Sequence, residues 1–189
     1  MSKRVIILTF EQESVSYQAF SEIKRLHNQR EVRGEQMAVI SHKEDGSHQF
    51  EMQDFIDFTG ADHSAKNSTI GMLIGLLAGP LGMMLGWFAG GMIGGAKDAK
   101  EITTATSIFE HVGKDIAEGE TGVVLIADED DNRPLNQLIF NKLGGNITRL
   151  ELEDVEEEIT DAKELEQDMA EHAVKTWQEK REEKQADEH

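Results

Sequence analysis

The uncharged stretch from Ile70 to Ala96, IGMLIGLLAGPLGMMLGWFAGGMIGGA, constrains this chain more than any other feature. Gly71, Gly75 and Gly79 recur every four residues, and after Pro80 the series restarts at Gly82, Gly86, Gly90 and Gly94. On a helix this spacing gathers the glycines of one arm along one stripe, where two backbones can approach closely. Each glycine costs a helix roughly 1 kcal/mol relative to alanine, so seven in register call for close packing to offset them. The pattern is a glycine zipper, and it predicts helix packing or oligomerisation at those seven positions.

A single helix through the stretch would be about 40 Å long, enough to cross a hydrocarbon core of about 30 Å. One crossing would leave the strands before it and the strands after it on opposite sides of the membrane, and neither half could then complete a core. Gly79 and Pro80 supply the alternative. Proline removes a donor and disfavours helix at the residue before it, and glycine accepts the turn, so the stretch reads as a helical hairpin with two short arms. The glycines let the arms pack on one another. Leu73, Ile74, Leu77, Leu81, Met84, Leu85, Phe88 and Met92, with Ile70 and Ile93, then form an apolar outer face too large for two thin arms to cover. Lipid, sister subunits or the chain's own tail must cover it.

The flanks read as one α+β domain. Arg4 to Phe10 is a buried strand, and Glu11 to Arg30 is a helix with Tyr17, Phe20, Ile23 and Leu26 along one stripe. Gln36 to Lys43 and Gln49 to Phe58 are two strands about the turn pair Asp45-Gly46. After the hairpin, Ile102, Ala105, Ile108, Phe109, Val112 and Ile116 mark a second amphipathic helix, and Gly122 to Ala127 a buried strand. The order is βαββαβ, that of a ferredoxin-like sandwich. A short helix follows, capped by Asp131 or Asn132, with Pro134 in its first turn and Gly144-Gly145 at its end; Asn146 to Leu152 is an extra strand. The domain therefore spans 1–152 and is interrupted by the hairpin at 68–96, both flanks completing it without the insert.

Residues 153–189 read as one long acidic helix. Val155, Ile159, Ala162, Leu165, Met169, Ala173 and Trp177 give it a single narrow seam that packs on its own domain or on a copy of itself. With the sheet complete by Leu152, truncation after Asp154 is expected to leave the domain folded. Residues 151 to 189 hold 5 basic and 16 acidic side chains, most of the chain's net charge of −18. An acidic surface repels phosphate backbones and anionic headgroups, which speaks against nucleic acid and makes any membrane contact a matter of apolar insertion. The chain has no cysteine, so disulfides and thiolate chemistry are excluded, in keeping with a reducing compartment. The apolar run near the N-terminus is too short for a signal peptide and predicts a mature cytoplasmic start.

Candidate chemistry is sparse. Asp128 to Asn132 at a strand end offers carboxylates to a divalent cation but lacks the alternating spacing of a calcium loop, and reads as a solvated turn. His42, His48 and His63 have no helical i, i+4 spacing for zinc and read as surface residues. The glycines follow no phosphate-loop pattern, Ser14, Ser16 and Ser21 lack a nucleophile elbow, and Asp54 and Asp57 show no paired acid. Trp87 and Phe88 sit in mid-arm, away from where an aromatic belt would lie. In the tail, Trp177 and Arg181 are spaced to stack. No catalytic, cofactor or metal site is expected, and the chain reads as a non-enzyme.

The frame RVIILTF followed by YQAFSEIKRL, the insert with GLLAGPLG, and IFEHVGKDIAEGETGVVLIADE together resemble a bacterial domain-of-unknown-function family of glycine-zipper, membrane-associated proteins. More distantly the chain is similar to general-stress proteins with an inserted glycine-zipper hairpin. The resemblance covers residues 4 to about 152 and implies an α/β shell with an inserted hairpin and no catalytic residues; the acidic tail lies outside it. The expected function is membrane association or self-assembly through the hairpin, with the chain itself as partner and lipid as a second, at the cytoplasmic face of a membrane. The alternatives are a cytoplasmic, stress-related scaffold with hairpins buried between subunits, or a ligand-sensing ferredoxin-like domain.

Overall fold

The computed structural model describes residues 2–47, 49–61, 67–79 and 107–187. Its sheet has five strands: β1 (Lys3–Thr9), β2 (Arg33–His42), β3 (Phe50–Asp57), β4 (Thr121–Asp128) and β5 (Asn146–Glu151). They lie in the order β3-β2-β4-β1-β5, and every neighbouring pair is antiparallel. Strand β1 pairs Lys3 with Asp128 and Thr9 with Gly122 on one side, and Arg4 with Glu151 and Thr9 with Asn146 on the other. Because β1 and β2 both run antiparallel to β4, they are parallel to each other, and α1 (Glu13–Asn28) is the crossover between them.

The sheet is covered on both faces, which explains why β1 and β4 read as near-continuous apolar runs. Successive residues alternate: Ile6 and Leu8 enter one core, and Val5 and Ile7 the other. The first core is closed by α1 through Ala19, Phe20, Ile23 and Leu26, and by a short helix α4 (Arg133–Asn136) that continues as a π-helical turn over Gln137–Leu143. Pro134 starts α4 where a missing N–H costs nothing, and Gly144 ends the turn with φ of 66°, as its sequence position predicts. The second core is closed by α2 (Thr69–Ala78), α3 (Ser107–Asp115) and the first half of α5 (Leu152–Asp187).

Three expectations change here. The helices on either side of the glycine-rich segment, α1 and α3, lie on opposite faces of the sheet, so the domain has three layers where the βαββαβ order predicted two. The residues assigned to an apolar outer face, Leu73, Ile74 and Leu77, are 1%, 5% and 2% exposed and pack against the sheet. A helix beside an open apolar sheet face buries its leucines there before anything else can reach them. The tail's seam takes the first of its two alternatives and packs on its own domain, with Val155, Ile159 and Ala162 in the same core, so the core is not complete at Leu152 as expected. Leu81, Met84, Leu85, Phe88 and Met92, the glycines Gly82, Gly86, Gly90 and Gly94, and Pro80 lie outside the described residues.

Candidate functional site

Helix α2 has two unlike sides, and its ends are pinned by other elements. Ser68 caps its start by accepting a hydrogen bond from the Gly71 N–H at 2.9 Å, and the Gln36 side-chain oxygen, from β2, accepts the Ile70 N–H at 3.3 Å. At the other end the Gln49 amide donates to the Ala78 carbonyl at 2.9 Å. With its ends fixed and Leu73, Ile74 and Leu77 buried in the core, α2 turns its glycine edge sideways, toward α5.

Between them lies a cleft of about 570 Å³. Gly71, Met72, Gly75 and Leu76 form the α2 wall; Lys163, Glu166, Gln167 and Ala170 form the α5 wall. Among the described residues a side-chain carbon built on Gly75 would meet no atom within 4 Å, whereas one on Gly79 would lie 3.5 Å from the Glu166 carboxylate. Gly71 and Gly75 thus border the cleft. One Glu166 oxygen, Oε2, is buried and has no hydrogen-bond partner among the described residues. Across the mouth, Lys163 Nζ sits 3.5 Å from Met72 Sδ.

Helix α5 is also the clamp of this face. Its Glu158 accepts the Ile108 N–H at 2.7 Å, which ties α5 to α3. Beyond Met169 the helix leaves the domain: from Ala170 to Ala186 every side chain described is exposed except that of Thr176. Val174 and Trp177 are 54% and 61% exposed, and Arg181 lies over the Trp177 ring at 5.2 Å, the stacking expected from their spacing.

The remaining candidate residues are structural. His42 was expected at the surface; it is buried, stacked on Phe50 with ring centroids 4.2 Å apart, and its Nδ1 lies 2.8 Å from the Ile116 carbonyl. His48 and His63 lie outside the described residues. Ser16 is buried and accepts a hydrogen bond from Thr121. Asp57 accepts the Thr59 N–H in a turn, and Asp54 accepts the Phe55 N–H. In the acidic run, Glu129 does not belong to a solvated turn: it is 8% exposed and takes a bidentate pair from Arg149 at 2.6 and 2.7 Å, with Arg4 at 3.6 Å. Arg149 also donates to Asn136, so the cluster ties β5 and β1 to the strand end and α4. Asp130, Asp131 and Asn132 are exposed, as expected of a solvated turn. Hydrogen bonds from the Arg133 side chain and backbone N–H hold the Asp131 carboxyl down to about 2. Among the described residues no three acids or histidines are grouped to hold a metal ion.

Sequence reasoning missed the α5 wall of the cleft and the Glu129 cluster. No family model, no curated protein and no solved structure matches the chain. The family resemblance therefore rests on the quoted residues alone.

Proposed function

We propose that this is a non-enzymatic self-assembling protein in which the cleft between α2 and α5 receives a helix. One observation carries the reading: among the described residues no atom lies against Gly75, on a helix whose opposite side is locked into the core. Glycine in mid-helix costs stability that alanine would not, and a bare edge beside a cleft is what a close-packed helical partner requires. The frame fits a ferredoxin-like sandwich in which β1, α1, β2, β4, α4 and β5 supply the six elements, while β3, α2 and α3 are added within the β2 to β4 connection.

Lipid insertion is the second reading, and it is restricted. Among the described residues no helix is long and apolar enough to cross a membrane. The leucines of α2 are committed to the sheet, so insertion would fall to Leu81, Met84, Leu85, Phe88 and Met92, at the cytoplasmic face. The test is the mass of the protein purified without detergent, for parent and Gly75→Leu. An oligomer that weakens in the variant supports assembly through the cleft. Recovery of the parent in a high-salt-washed membrane pellet, with a monomeric mass after extraction, sinks it in favour of lipid.

A further inference from the structure

The cleft continues along α5 as an exposed seam. Lys163, Gln167, Ala170, Val174, Trp177 and Arg181 follow one another at intervals of four, three, four, three and four, so on a helix they lie within about 40° of one line. The first three line the cleft and the next two are the exposed Val174 and Trp177. A helix laid along this line would cover Trp177 and then enter the space between Gly75 and Ala170.

Charge says which helix. From Leu152 to Ala170 the only base is Lys163 among nine acids, whereas from Glu171 to Asp187 four bases, Lys175, Lys180, Arg181 and Lys184, offset five acids. Two copies of α5 side by side in parallel would align acidic half with acidic half. Laid antiparallel, each acidic half meets the other copy's base-bearing end. With Val174 of one copy across from Trp177 of the other, Arg181 falls opposite Ala170 and Lys184 opposite Gln167. Each large side chain then faces a smaller one. Arg181 and Lys184 come beside Glu166 and Glu171, and Glu166 is the residue whose buried carboxylate oxygen has no described partner.

We propose that the exposed half of α5 pairs antiparallel with the same segment of a second copy, the end of each helix entering the cleft of the other. The contact is isologous: residue i meets residue j and j meets i about a two-fold axis, so it closes as a dimer. This names the occupant of the cleft and rests on reading that cleft as a helix-docking site.

The test uses the full chain and two charge-reversed variants, Arg181→Glu with Lys184→Glu, and Glu166→Lys with Glu171→Lys. Dimerisation is followed by sedimentation equilibrium, and helix content by circular dichroism. The parent is expected to dimerise, more weakly at higher salt. Each variant alone sets like charges together at both ends and should dissociate at least tenfold more readily with unchanged helix content. Mixed one to one, both ends become complementary and the dimer returns; Trp177→Ala dissociates the parent by a similar factor. A parent that is monomeric at every concentration overturns both this pairing and assembly through the cleft. Oligomers that survive in both charge variants but weaken in Gly75→Leu overturn the pairing and leave the cleft reading standing. A dimer that forms only after removal of residues 80–106 would mean the chain's own segment fills the cleft, which also overturns the proposal.

Discussion

Two carboxylates hydrogen-bonded to arginines sit in opposite surroundings, one buried and the other exposed. Asp131 is exposed, and its carboxyl is held down to about 2 by Arg133. Since the folded value lies below the ordinary Asp value of about 3.9, the pair favours the fold above that pH, and its contribution declines as pH falls from about 4 through about 2. Water and salt screen the pair, so it is a local contact. Arg133→Gln should return the Asp131 titration toward about 3.9 by NMR and leave the thermal midpoint nearly unchanged. Glu129 is the opposite case, 8% exposed and held at two oxygens by Arg149. Arg149→Met leaves that carboxylate with Arg4 at 3.6 Å, and should cost roughly 2 kcal/mol, short of a fully buried pair because Arg4 remains. Urea unfolding midpoints check it, and a variant within about 0.5 kcal/mol of the parent would show that Arg4 alone suffices.

At the scale of elements, α2 shows how far a sequence pattern reaches. The four-residue glycine spacing identifies an edge, and the structure places Gly71 and Gly75 on one wall of a cleft. Which side the leucines face was not legible, because a short helix apolar all round has no polar side to reveal its outside. The strands were legible from β-branched runs and turn residues; the layer each helix joins was not, since α1 and α3 have similar stripes and only the crossover geometry separates them. Glu129 escaped because burial inside an acidic run has no local signature. Two substitutions in α2 divide along its sides. Leu77→Ala, at a site 2% exposed, should cost about 2 to 5 kcal/mol of folding stability. Gly75→Leu meets no described atom at its first carbon and gains about 0.8 kcal/mol of helix propensity, so the fold should be as stable or more so while assembly weakens. Thermal unfolding beside sedimentation separates the two effects. A Gly75→Leu protein that unfolds more readily would mean the cleft is already filled within one chain.

Over the whole molecule, α5 is a single helix of about 54 Å whose halves answer to different surroundings. Its first half closes a sheet face that would otherwise be an open apolar surface, through Val155, Ile159 and Ala162, with Leu152 and Leu165 beside them. Burying a valine or isoleucine side chain contributes about 1.5 to 3 kcal/mol, and a domain of this kind has about 5 to 15 kcal/mol in all. Truncation after Asp154, which the strand count alone would have allowed, therefore removes a large part of the stability along with the Glu158 hydrogen bond to α3. That protein should unfold at a much lower temperature or aggregate. Truncation after Ala170 keeps every buried α5 residue and removes Val174, Trp177 and the distal bases, so it should keep the parent's thermal midpoint within a few degrees and lose self-association. Circular dichroism melts and sedimentation on the two truncations decide the matter. If the shorter protein melts like the parent, the sheet face is closed by something other than α5, and the three-layer account of the core is wrong.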